Sequence, residues 1–113
     1  MIGKGKMYVV VNTDLKMSLG KTAAQVAHAV ARLDVGVPRT MIVLQGKTEQ
    51  IHNLDTYLER ANIPHHMYID EGVNEVAPMS ATALAFGMVE DGFTPDFIEG
   101  FWLLGEKIPG WLK

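Results

Sequence analysis

The chain contains no cysteine. That excludes a disulfide framework, a thiolate metal site and a cysteine nucleophile. No apolar run approaches the ~20 residues needed to cross a bilayer. Lysines precede an apolar run in MIGKGKMYVVV. That run is too short for a signal peptide, and no small-residue cleavage pattern accompanies it. Proline, glycine and serine never cluster into a linker, and no internal repeat or low-complexity tract is visible. A G-x-S-x-G elbow is missing as well. His28, His52, His65 and His66 lack metal-ligand spacing, and the adjacent pair would point to opposite faces of a strand. Together these absences predict one cytoplasmic domain over residues 1–113, with no membrane segment, metal or cofactor.

Acids are scarce too, but only in the first part of the chain. Through Lys47 there are seven bases (Lys4, Lys6, Lys16, Lys21, Arg32, Arg39, Lys47) against two acids, Asp14 and Asp34. Beyond Lys47 three bases face eleven acids, so the net charge of −3 conceals a strong polarity. A basic patch on an acidic body is compatible with it, and such a patch would bind phosphate. A fold that mixes the two halves would abolish the patch. Bulk content is ordinary: 113 residues, 48% hydrophobic and 20% charged, suit a soluble globular domain with a core of its own.

Residues 7–12 form a continuous apolar run with three valines, as expected of a central buried strand. Residues 19–34 read as a helix, with Leu19, Ala23, Val26, Val30 and Leu33 as its apolar stripe and Gly36 and Pro38 as its stop. A short strand is predicted at 40–44 and a second helix at 48–61, with Thr48 as a candidate cap. Asn62 and Pro64 then break the chain before a third strand at 65–69. A loop follows at 71–78, a fourth strand at 81–87, and a short helix or turn at 94–100. The tail from 101 to 113 is apolar and shows no clear period. Alternating strands and helices imply an α/β fold with right-handed crossovers and helices on the faces of a largely parallel sheet. In such sheets ligands bind outside the carboxyl ends of the strands. The loops at those ends are residues 12–19, 45–48 and 70–80.

Two of those loops hold the residues with chemical promise. In the first helix Lys21, Gln25, His28 and Arg32 are spaced 4, 3 and 4 apart, which lines them along one face. An open surface usually carries Glu and Lys there; Gln25 and His28 among alanines are less typical. Lys21 also stands in the first helical turn, against the peptide dipole. Gly20-Lys21-Thr22 after a strand has the look of a phosphate loop, but that motif needs a glycine where this chain has Leu15. The other loop begins at Asp70, at the end of the third strand and before Gly72. A carboxylate so placed can act as a base or orient one, although an Asp before a turn is also common for structural reasons.

At these residues the chain resembles the type II peptidyl-tRNA hydrolases. Residues 14–29 read DLKMSLGKTAAQVAHA, matching every fixed position of the family segment D-(L/I)-K-M-x-x-G-K-x-A-A-Q-x-x-H-A. Asp70, Gly72, Val76, Pro78 and Thr82 match a second segment, D-x-G-x-T-x-(hydrophobic)-x-P-G and the strand after it. The resemblance implies a three-layer α/β/α sandwich around a mixed four-stranded sheet. It implies hydrolysis of the ester that joins a peptide to the ribose of tRNA, so that the partner is peptidyl-tRNA. Implied with it are a homodimer and a reaction without a metal. The family's site residues map onto Lys21, Gln25, Asp70 and Thr82, with Lys16 as a phosphate contact. His28, Arg32 and Asn74 are further candidates for holding substrate.

This chain departs from the family pattern at a few positions. Asn74 stands where the family has threonine, and an asparagine offers no hydroxyl. The family's Pro-Gly is Pro78-Met79 here. The stretch after the fourth strand, and the insertion many members carry between the first helix and the second strand, are absent or altered. An alternative follows: a catalytically weak domain of the same fold that binds RNA or a protein partner. A hydrolase acting on a different ester or amide is a third reading.

Overall fold

A computed structural model describes residues 5–72, 76–77 and 79–112. Its elements run β1 (Gly5–Asn12), a 3-10 turn (Thr13–Leu15), α1 (Leu19–Leu33), β2 (Thr40–Gly46), α2 (Thr48–Arg60), β3 (His65–Asp70), β4 (Ser80–Glu90), a second 3-10 turn (Asp96–Gly100), β5 (Trp102–Leu103) and a last 3-10 turn (Gly110–Leu112). One sheet has the order β3-β4-β1-β2-β5. β1 and β2 are parallel, and β4 is antiparallel to both β1 and β3. Hence β1, β2 and β3 run the same way and end at one edge, at Asn12, Gly46 and Asp70.

The sheet is mixed, as expected, but it has five strands rather than four. The fifth comes from the tail, where only Trp102 and Leu103 pair, with Gln45 and Leu44. A two-residue strand has no alternation to read. β4 runs to Glu90, past the expected stop at Gly87. The register shift opposite Met7 shows why: Lys6 pairs with Val89 and Tyr8 with Phe86, so Gly87 and Met88 form a bulge. A side chain at Gly87 would press on the carbonyl oxygen of Lys6, 3.0 Å away.

A second bulge sits where β4 meets β3. Tyr68 pairs with Ala83 and Ile69 with Ala81, leaving Thr82 as the extra residue. The bulge resets the alternation. Ala81, Leu84 and Phe86 pack with Ile51, Leu54 and Leu58 on the α2 side. Ala83 and Ala85 pack with Val9 and Ala29 on the α1 side, joined by Val26, Val30, Leu33 and Tyr68. Helices therefore cover both faces, which makes three layers. The α1 side is built from alanines and lets that helix lie close to the sheet.

The expected stripe of α1 holds only in part: Val26, Val30 and Leu33 pack on the sheet, whereas Leu19 and Ala23 do not. Leu19 is 87% exposed, Ala23 is exposed, and the fully buried positions are Gln25 and Ala29. The helix is turned so that a polar side chain faces the sheet. Thr48 is not the cap of α2 but its first residue; Lys47 precedes it. The Thr48 N–H is instead satisfied by the Asp14 carboxylate, at 2.9 Å. Asn12, buried at the end of β1, donates to Thr48 Oγ1 and to the Ala81 carbonyl, both at 2.8 Å. One side chain thus ties the end of β1 to the starts of α2 and β4.

Candidate active site

The Asp70 side chain lies at that edge and turns toward α1. Its Oδ2 accepts from Lys21 Nζ at 2.9 Å and from Gln25 Nε2 at 2.6 Å. Its Oδ1 accepts from the Gly72 N–H at 2.6 Å. The Ser18 hydroxyl caps α1 by accepting from the Lys21 N–H, which places Lys21 in the first turn. There its ammonium opposes the helix dipole, and the Asp70 carboxylate offsets that cost. The Lys21 side chain keeps 13% of its exposure and that of Asp70 keeps 8%, so the pair is shielded without being sealed.

These donors decide the charge state. The hydrogen bond from Lys21, then that from Gly72, hold the Asp70 carboxyl below its ordinary pKa; burial pulls the other way, and Gln25 and the Lys21 charge add to the lowering. Asp70 is therefore an anion throughout the neutral range. Gln25 is 1% exposed, and its Oε1 finds no partner among the described residues. Thr82, also buried, donates its hydroxyl to the Tyr68 carbonyl at 3.4 Å, a long bond that ties β4 to β3 two residues before Asp70.

Lys21, Gln25 and Asp70 thus meet, and Thr82 stands on the adjoining strand. Lys16 is exposed at the same edge, in a left-handed backbone conformation (φ 49°). His28 and Arg32 do not reach Asp70. They meet Tyr68 instead: the His28 ring stacks on it at 4.8 Å, and the Arg32 guanidinium lies 5.0 Å from its centre. Neighbouring His66 is pushed down in pKa by burial first, then by Arg32 and His65, with Asp55 opposing. Asn74 and Pro78 lie outside the described residues.

Of the two outcomes open for the charge of the first part of the chain, the described bases show the second: they do not form one surface. Lys6 stands at the start of β1, the far edge from Asp70, and donates to the Phe93 carbonyl at 2.6 Å. Arg39, just before β2, pairs with Asp91 at 3.4 Å. Lys4 lies outside the described residues. The site residues missed by reasoning from sequence are Tyr68 and the Gly72 N–H. Tyr68 was accessible in principle, because a residue two before Asp70 on a strand shares its face.

A family model described as "Peptidyl-tRNA hydrolase PTH2" matches residues 5–35 and 37–94. A peptidyl-tRNA hydrolase of Haloquadratum walsbyi is 35% identical, over 76% of this chain and 88% of its own. That of Methanopyrus kandleri is 33% identical, over 73% of this chain and 83% of its own. That of Saccharolobus solfataricus is 32% identical, over 73% and 84%.

Proposed function

Since the chain belongs to the peptidyl-tRNA hydrolase PTH2 family, we propose that Lys21, Gln25, Asp70 and Thr82 carry hydrolysis of the ester between peptide and tRNA. The single observation behind this assignment is the shared contact of Lys21 and Gln25 on Asp70 Oδ2. Both acceptor positions of that oxygen are taken, whereas Oδ1 accepts, among the described residues, only from Gly72. A carboxylate oxygen accepts two bonds, so the free position on Oδ1 holds the attacking water.

The donors that keep Asp70 ionised also lower its basicity. Asp70 therefore orients the water and receives its proton only as the new carbon–oxygen bond forms. The Lys21 ammonium steadies negative charge on the ester carbonyl oxygen. Collapse of the tetrahedral intermediate breaks the bond to the ribose oxygen, which takes up the proton. Gln25 and Thr82 hold Asp70 and Lys21 in register. Lys16, His28 and Arg32 contact the tRNA portion, and Asn74 adds a hydrogen bond to substrate. The route draws on side chains alone.

Turnover of purified peptidyl-tRNA tests the assignment. Wild type should cleave it, and Lys21→Ala and Asp70→Ala should each lose roughly 100-fold or more. Retained turnover in both variants overturns it. Asn74, in place of a threonine, favours a second reading: a domain that binds RNA or a protein without cleaving. Binding by wild type with no turnover would select that reading. The proposal includes a cytoplasmic homodimer, on likeness to the family alone; sedimentation should show twice the mass of one chain.

A further inference from the structure

Beyond the ester-cleaving cluster, α1 and β3 carry a second group of side chains on the same faces. Tyr68 precedes Asp70 by two residues, about 6.6 Å along the strand. It is half-buried, while His28 and Arg32 are exposed. The His28 and Tyr68 rings lie nearly parallel, at 13°. The Tyr68 ring packs on the alanine layer of the α1 side, and the His28 ring stacks on it. The exposed His28 ring therefore offers its outer face to solvent, a flat surface backed by a second ring. Arg32, over the Tyr68 ring, supplies a positive charge.

We propose that His28, Tyr68 and Arg32 form a station for the terminal nucleoside of the tRNA acceptor strand, its unpaired base stacking on His28. This rests on the peptidyl-tRNA reading above. The spacing fits. A base lies within one nucleotide of the ester on its ribose, and the stack lies about one nucleotide from Asp70. The chemistry fits as well, because unpaired bases are held by aromatic faces with arginine beside them. Arg32 is placed to meet the phosphate on the 5′ side of that nucleoside.

The test uses three substrates: peptidyl-tRNA, an N-blocked aminoacyl ester of adenosine, and the same ester of bare ribose. His28→Ala should raise KM roughly tenfold on the first two, the loss falling mainly on KM, and His28→Phe should restore most of it. Arg32→Ala should weaken peptidyl-tRNA but not the adenosine ester, which has no phosphate. Wild type should lose a similar factor on the ribose ester, where His28→Ala then costs nothing further. An unchanged KM for His28→Ala on the adenosine ester, with wild type active, overturns the station and leaves the hydrolase intact. So does a penalty confined to peptidyl-tRNA, which would place the contact on the body of the tRNA. Failure of wild type to cleave peptidyl-tRNA would instead sink the hydrolase reading itself.

Discussion

Lys21 and Asp70 are each awkward alone: a cation at the positive end of a helix, and a carboxylate in a nearly closed crevice. Paired at 2.9 Å, they satisfy one another. Asp70→Asn keeps the shape but removes the charge and turns one amide face against Lys21 as a donor. It should cut kcat at least about 100-fold while the melting temperature moves only a few degrees; single-turnover kinetics and calorimetry check both. The pH response has a definite sign. Asp70 is below its ordinary pKa in the folded state, so its stabilising contribution is complete above the unfolded value of about 3.9. It is lost as pH falls through the lowered folded value. The acid limb of kcat should accordingly lie below pH of about 4, with no step between pH 5 and 7 from this group. Gln25→Glu would set a second carboxylate against the first. At pH 7 the added charge repels Asp70, so activity should collapse there and recover partly as mild acidification protonates one carboxyl of the pair.

The elements place that pair through a thin layer. Ala29 of α1 lies on Ala83 and Ala85 of β4, and this close seat brings Lys21 and Gln25 down to Asp70. Ala29→Leu would overfill the layer, costing about 1–3 kcal/mol. Lifting α1 should lower kcat by more than the loss of folded protein explains, which activity normalised to the folded fraction would show. At the other helix, Asp14→Ala removes the carboxylate that accepts from Thr48; a lost cap costs about 1 kcal/mol, seen as a lower Tm. The sequence made β1, α1, α2 and β3 legible because each is long enough to carry its period. β5 was not, having two residues. The edge at which Lys21 and Asp70 meet followed from the rule for parallel strands. The burial of Gln25 did not, because a glutamine on a helix reads as surface until its partner is known. Nor did the Tyr68 stack, which depends on the rotation of α1.

At the scale of the whole molecule, the described bases of the first part of the chain divide between two edges. Lys16, Lys21 and Lys47 lie at the carboxyl edge with the site, and Arg32 lies further along α1. Lys6 and Arg39 lie at the opposite edge, engaged with the Phe93 carbonyl and with Asp91. Among the described residues the surplus of positive charge in the first part of the chain is therefore not one phosphate-binding surface, and a substrate seated at Asp70 meets Lys16, Arg32 and Lys47 as cations for its phosphates, Lys21 being engaged with Asp70. Counterion release then sets the salt response. Three phosphate contacts give log K against log salt a slope of roughly −2 to −3, shallower than a single patch would produce. Lys16→Gln should reduce that slope by about one, whereas Lys6→Gln should leave it unchanged. KM for peptidyl-tRNA measured from low to moderate salt decides the matter: a slope near −6, or a clear effect of Lys6→Gln, would mean that the tRNA wraps to the far edge of the sheet.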